Sequence, residues 1–187
     1  MHCPRCHTIA LADQELETSL PSLHCPQCQG HWIRGIQYWK WLEGHGTNLP
    51  ERPASEAASG EEAAPPVSDA GGALICPDCG HILGRYHVGH DIAFTLDHCA
   101  HCSGVWFDGG EWETLKSRNL HDDVHAIFSD VWQARVRRGE QAREHERNLE
   151  ALLGEEDLSE LRRMKSWLMA HPKRYAMYAL LHPDNVL

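Results

Sequence analysis

Four Cys-x-x-Cys pairs account for every cysteine in the chain, and nothing else in the sequence constrains the fold as strongly. The pairs are Cys3/Cys6, Cys25/Cys28, Cys76/Cys79 and Cys99/Cys102. Taken in order, they are separated by 18 residues in the first set and 19 in the second. Two pairs about 18–20 residues apart is the spacing of a tetrathiolate metal site. A Cys-x-x-Cys turn puts two sulfurs on one side of a tight loop. A hairpin between two such turns then gathers four sulfurs tetrahedrally, each about 2.3 Å from a zinc ion. Pro4, Pro26 and Pro77 fix φ inside three of the turns. Gly30, Gly80 and Gly104 follow their pairs and are expected to supply the left-handed conformation such turns need.

The expected ligand sets are Cys3, Cys6, Cys25 and Cys28 for one ion and Cys76, Cys79, Cys99 and Cys102 for another, giving two Zn2+ per chain. Four thiolates leave no open coordination position, so both sites are expected to be structural. Rubredoxin-like iron binding uses the same pair of turns, and spacing alone does not separate it from zinc. A redox Cys-x-x-Cys normally stands alone beside a βαβ pattern, which is absent here. His7, His24, His81, His98 and His101 crowd the cysteines. With four sulfurs already present per site, they are expected beside the metal or at the surface, not as ligands.

The cysteines belong to an internal repeat. Cys3-Pro4-Arg5-Cys6 recurs 73 positions later as Cys76-Pro77-Asp78-Cys79. The stretch Cys25 to Trp32 recurs 74 positions later as Cys99 to Trp106, each copy reading Cys-x-x-Cys-x-Gly-x-Trp. Gly35 and Gly109 follow, and Trp39 to Leu42 matches Trp112 to Leu115 in spacing. Trp32 and Trp106 are expected as aromatic caps packed beside the metal turns. Four segments result: a first unit over 1–43, a linker over 44–73, a second unit over 74–118, and a tail over 119–187.

The linker is rich in Ala, Glu, Ser, Pro and Gly and reads as a flexible acidic tether. In the second unit, Ile92-x-Phe94-x-Leu96 alternates with period two after a Gly89-His90 turn, as in a strand. Ile9-x-Leu11 and Leu16 to Leu20 are a weaker version in the first. A short helix over Glu111 to Arg118 presents Trp112 and Leu115. The tail reads as helical, with a stripe of Val124, Ile127, Phe128, Val131 and Ala134 and then a charged run over 137–148. Further helices carry Leu158, Leu161, Met164 and Leu168, and then Tyr175 to Leu181. The fold class is therefore small metal-stabilised β: two tandem zinc ribbons and an α-helical C-terminal tail. Large aliphatic residues are spread thinly before the last third, which argues against one large core, so metal is expected to hold each ribbon.

Residues Cys76 to Leu115 resemble the TFIIB-type transcription factor zinc-finger family, found in many small bacterial proteins. The resemblance rests on Cys99, Cys102, Gly104, Trp106, Asp108, Gly110, Glu111 and Trp112. It implies a zinc-ribbon fold and implies little about function. The first copy is similar but degenerate: Arg34 stands where the acidic residue belongs, Gln37 near the glutamate, and His7 follows Cys6. Zinc binding is expected to survive these departures, but a partner surface like that of Asp108 and Glu111 is not.

The formal charge is −10 and no segment is net basic, so nucleic acid is a weaker expectation than a protein partner. No leader pattern opens the sequence and no apolar run is long enough to span a bilayer, so a cytoplasmic protein with no membrane partner is expected. No nucleophile–base motif or glycine-rich phosphate loop appears, so no enzyme is expected. The reading is a non-catalytic adaptor that docks on another protein, linked to transcription or nucleic-acid machinery, with self-association through the helical tail as a further partner. The alternatives are a redox-sensing zinc-thiolate switch acting as a holdase, and a rubredoxin-like iron electron-transfer protein.

Overall fold

The computed structural model describes residues 1–45 and 72–181. Most of the expected linker lies outside the described residues. Each copy of the repeat folds as two long strands, a short third strand and a helix. The first copy is β1 (Ala12–Glu17), β2 (Leu20–His24), β3 (His31–Ile33) and α1 (Gly35–His45). The second is β4 (Gly84–Gly89), β5 (Ile92–His98), β6 (Val105–Phe107) and α2 (Glu111–Ser117). His90 and Asp91 both have positive φ, as a two-residue hairpin turn between β4 and β5 requires.

The two copies are not separate beads. All six strands form one antiparallel sheet in the order β1-β2-β3-β6-β5-β4. The join is β3 against β6, with Trp32 opposite Trp106, His31 opposite Phe107 and Ile33 opposite Val105. The register is centred on the two tryptophans, so the copies are related by an approximate two-fold axis between them. The sheet ends in β1 and β4, and β1 carries Asp13, Glu15 and Glu17, charges that blunt an edge against further pairing.

Side chains of a strand alternate between faces, and here both faces are covered. On one side Ile33, Val105 and Phe107 join Tyr38 and Trp41 of α1 and Trp112 and Leu115 of α2. Leu120, Val124, Ile127, Trp132 and Val136 complete the same core. On the other side Trp32 and Trp106 pack with the cysteines, Leu74 and Leu83. The expectation against a single sizeable core is thus corrected: pairing pools two thin aliphatic sets into one cluster.

The chain divides into two compact units, 1–136 and 137–187. Residues 119–136, grouped with the tail on sequence grounds, pack with the ribbons. After α3 (Val124–Ile127) the helix breaks, and α4 (Asp130–Leu153) begins. The break rotates the apolar stripe, so Val131 is 70% exposed while Trp132 and Val136 are buried. Trp132 donates its indole N–H to the Val88 carbonyl at 2.9 Å. In the second unit α4 ends at Gly154, which has φ 79, and α5 (Glu155–Ala170) and α6 (Arg174–Leu181) follow. Among its described residues Leu158 is the buried side chain.

Candidate metal centres

Cys3, Cys6, Cys25 and Cys28 converge in the first copy, and Cys76, Cys79, Cys99 and Cys102 in the second. In each group all sulfurs lie within 4.8 Å of one another. Closest pairs are Cys3–Cys28 at 3.6 Å, Cys25–Cys6 at 3.9 Å, Cys76–Cys102 at 3.6 Å and Cys79–Cys99 at 3.5 Å. A disulfide would need about 2.05 Å. A tetrahedron with Zn–S of about 2.3 Å has edges of about 3.8 Å. The sulfurs are therefore spaced for two Zn2+ ions, one per copy. Among the described residues the two groups consist of cysteines.

The backbone builds the sites. Each turn is closed by an amide four residues on: His7 N–H to Cys3 C=O, Gln29 to Cys25, Gly80 to Cys76 and Ser103 to Cys99, at 2.8–3.0 Å. The left-handed residues are His7 (φ 62), Gln29 (φ 60), Gly80 (φ 75) and Ser103 (φ 58). This corrects the role expected for Gly30 and Gly104, which do not have positive φ. Their reason is space. A Cβ on Gly30 would come within 3.0 Å of the Trp106 ring, and one on Gly104 within 3.0 Å of the Trp32 ring. Each tryptophan thus caps the metal turn of the other copy.

Burial pushes the thiols up, to about 11 for Cys3 and further for Cys28 and Cys76. At Cys25 and Cys99 burial acts the same way and is the largest single influence, but backbone amides of the following turn and hydrogen bonds from neighbouring thiols together outweigh it and hold the thiol below its ordinary value. Metal binding must displace the remaining protons. Several histidines flank the cysteine groups. His81 Nδ1 lies 3.3 Å from the Cys79 sulfur and its ring stacks on His101 at 4.2 Å. His98 is stacked on Phe128 at 4.1 Å, and His24 lies 4.7 Å from His31.

Around this double site runs a set of cross-copy contacts. Trp32 donates its indole N–H to Asp78 at 2.8 Å, inside the second copy's first metal turn. Arg34 also grips Asp78, at 3.1 Å. At the equivalent place across the axis, Arg5 of the first copy's turn binds Asp108 through both guanidinium and carboxylate forks. Arg5 also lies 3.7 Å from buried Asp97. Motif and period single out neither Arg5 nor Asp78, and in the sequence Arg34 reads as decay. The available signal is the reversal of sign at equivalent positions: Arg5 for Asp78, and Arg34 for Asp108.

The other apparent departure also has a physical reading. Asp108 N–H donates to Glu111 Oε2 at 2.9 Å, and Arg34 N–H donates to Gln37 Oε1 at 3.4 Å. Burial raises the Glu111 carboxyl to about 9, with the neighbouring Asp108 and Asp97 adding to the rise. A neutral glutamic acid and a glutamine then do the same job. Between the ordinary value of 4.5 and 9 the folded state holds a proton that the unfolded chain has lost, so stability falls as pH rises. For one proton the slope is at most about 1.4 kcal/mol per pH unit. Glu111→Gln is expected to flatten denaturation midpoints between pH 5 and 9 and to raise them at pH 8. A variant less stable than the parent at pH 8 would contradict this.

A hairpin, two cysteine turns and a tetrathiolate site are the parts of a zinc ribbon, and the chain holds two. Residues 75–118 match the family described as transcription factor zinc-finger, under a quarter of the chain. The match falls on the second copy, and the four-cysteine site of the first fits a second copy of the same module. Comparison with curated proteins and with solved structures finds no match.

Proposed function

We propose that this is a non-catalytic adaptor in which the paired zinc ribbons are a rigid scaffold and the C-terminal helical unit docks a partner protein. The observation that carries it is the surface of α5 and α6. Leu161, Met164, Trp167, Met169, Tyr175, Leu180 and Leu181 are 47–86% exposed. Short helices gain most of their stability from packing an apolar face, and clustered exposed apolar side chains mark interaction sites. The stretch from Leu161 to Leu181 carries Arg162, Arg163, Lys165, Lys173 and Arg174 and has no Asp or Glu of its own. Arg162 and Arg163 pair with Glu146 and Glu160 from outside it, which leaves Lys165, Lys173 and Arg174 as its excess charge. The partner that fits is a protein with an apolar groove and an acidic rim. Two copies of this face would repel each other, which disfavours symmetric self-association through it.

We place the protein in the cytoplasm, where unpaired thiols remain reduced and available to zinc; no helix among the described residues is long and apolar enough to cross a membrane. A link to transcription would run through protein contact, because nothing in the charge distribution favours wrapping DNA. The test is a photo-crosslinking residue in place of Trp167 in the full chain, in the producing cells. A discrete protein adduct that disappears when Lys165, Lys173 and Arg174 are changed to Glu supports the reading. Adducts confined to lipid or nucleic acid, or a protein adduct indifferent to those charges, would overturn it.

A further inference from the structure

The ribbon–ribbon join has a feature that a plain duplication does not require. In each copy, one residue inside the first metal turn faces the residue two places after the repeat's shared tryptophan in the other copy. Those contacts are Arg5 with Asp108 and Asp78 with Arg34. A repeat with identical copies would put the same two residues in both contacts. Here the signs are inverted between copies, so both contacts are attractive.

The consequence appears on pairing like with like in the same geometry. Two second ribbons joined through β6 would set Asp78 of each against Asp108 of the other. Two first ribbons joined through β3 would set Arg5 against Arg34. Both contacts would then be repulsive. The Arg5 and Asp108 side chains are only 13% and 12% exposed, so water screens that contact poorly. Asp97, at 4% exposed, adds a second acid to the pocket that receives Arg5. The strand pairing itself, by contrast, does not discriminate: Trp32 against Gly104 and Trp106 against Gly30 are the same contact made twice, and the β3–β6 register is symmetric. Away from the strands, Tyr38 of α1 donates to the His121 carbonyl at 3.0 Å, a contact that only a pair of unlike ribbons makes, so the charge variants are what isolate the code.

We propose that the Arg5–Asp108 and Arg34–Asp78 pairs are a recognition code that makes each ribbon's inner edge a docking surface for the opposite ribbon of the same chain, and never for one of its own kind. Backbone pairing and the tryptophans supply attraction, and the charges supply selectivity. This is independent of the adaptor reading, which concerns the helical unit.

The test uses the full zinc-loaded chain with a protease site introduced between residues 46 and 71 and cut after folding. The halves are expected to stay together as a 1:1 complex holding two zinc ions, read by native mass spectrometry. Isotope-labelled and unlabelled cut proteins, mixed and left to exchange, should give pairs of a first with a second ribbon and at least tenfold fewer like pairs. Arg34→Asp, which faces Asp78 with a like charge, should weaken the complex at least tenfold, and adding Asp78→Arg should restore it. Separation of the wild-type halves on cutting, like pairs as abundant as unlike ones, or a double variant no tighter than Arg34→Asp alone would overturn the proposal. Should Arg34→Asp lose its zinc, Asp78→Asn, which keeps an acceptor for the Trp32 indole while removing the charge, takes its place, and a complex as tight as the wild type would overturn the proposal.

Discussion

Cys99→Ser is expected to lower the zinc content from two ions to one and to disturb both halves of the sheet. Structural zinc contributes about 10–16 kcal/mol to the folding of small modules, as much as the whole stability of a typical domain. The second ribbon therefore cannot be held by its share of the core once Cys99 is gone. In independent ribbons the damage would stop there. In this chain β6 is the partner of β3, and Asp78, the acceptor for the Trp32 indole, sits in the second copy's metal turn. The Trp32 indole N–H resonance should shift or broaden although Trp32 belongs to the first copy. The first copy's own ligands should still bind zinc. A Trp32 resonance unchanged in a protein that has lost one zinc would show that the copies do not share a sheet. The same measurement on stepwise chelation should show both indoles changing as the first ion leaves.

Gly104→Ala is the second change with a large expected effect. The added methyl would fall inside the Trp32 ring, whose indole is fixed by Asp78 and whose backbone is paired with Trp106. The ring has no room to retreat, since Trp32 is fully buried. Overpacking of this kind costs about 3 kcal/mol at its upper range. The cost should appear as loss of the join while zinc still binds, because the left-handed backbone of that turn belongs to Ser103 and the ligands keep their places. Trp32→Phe in the same chain makes room and should recover part of the loss in thermal midpoint. If Gly104→Ala melts like the parent, the close approach is not as tight as the structure has it.

Why did the sequence show some of this and hide the rest? The two four-cysteine clusters were legible because metal geometry demands cysteines at short, fixed spacing. The strand Ile92–His98 and the helix Glu111–Ser117 were legible because their apolar period is local. The join was not, because β3 and β6 are three residues long and carry no period of their own. Its trace lay in comparing the copies, where Arg34 and Gln37 looked like erosion. Arg34 makes sense only beside Asp78, and Gln37 only once burial has made Glu111 neutral. The stripe through Val131 failed for a different reason. A break after α3 resets the helical phase, and periodicity cannot see a break that Gly or Pro does not mark.

The β3–β6 pairing also carries a consequence for the order of events when the chain folds. Trp32 and Trp106 are 74 residues apart, whereas every other strand pair in the sheet is a local hairpin or its neighbour. Local contacts form before distant ones because closing a long loop costs entropy first. Metal capture by each hairpin should therefore precede docking, and docking should be the slow step. That cost grows only by about 0.6 kcal/mol for each doubling of the loop. A longer connection between the copies is thus expected to add little to the cost of docking, provided the two edges still carry opposite signs.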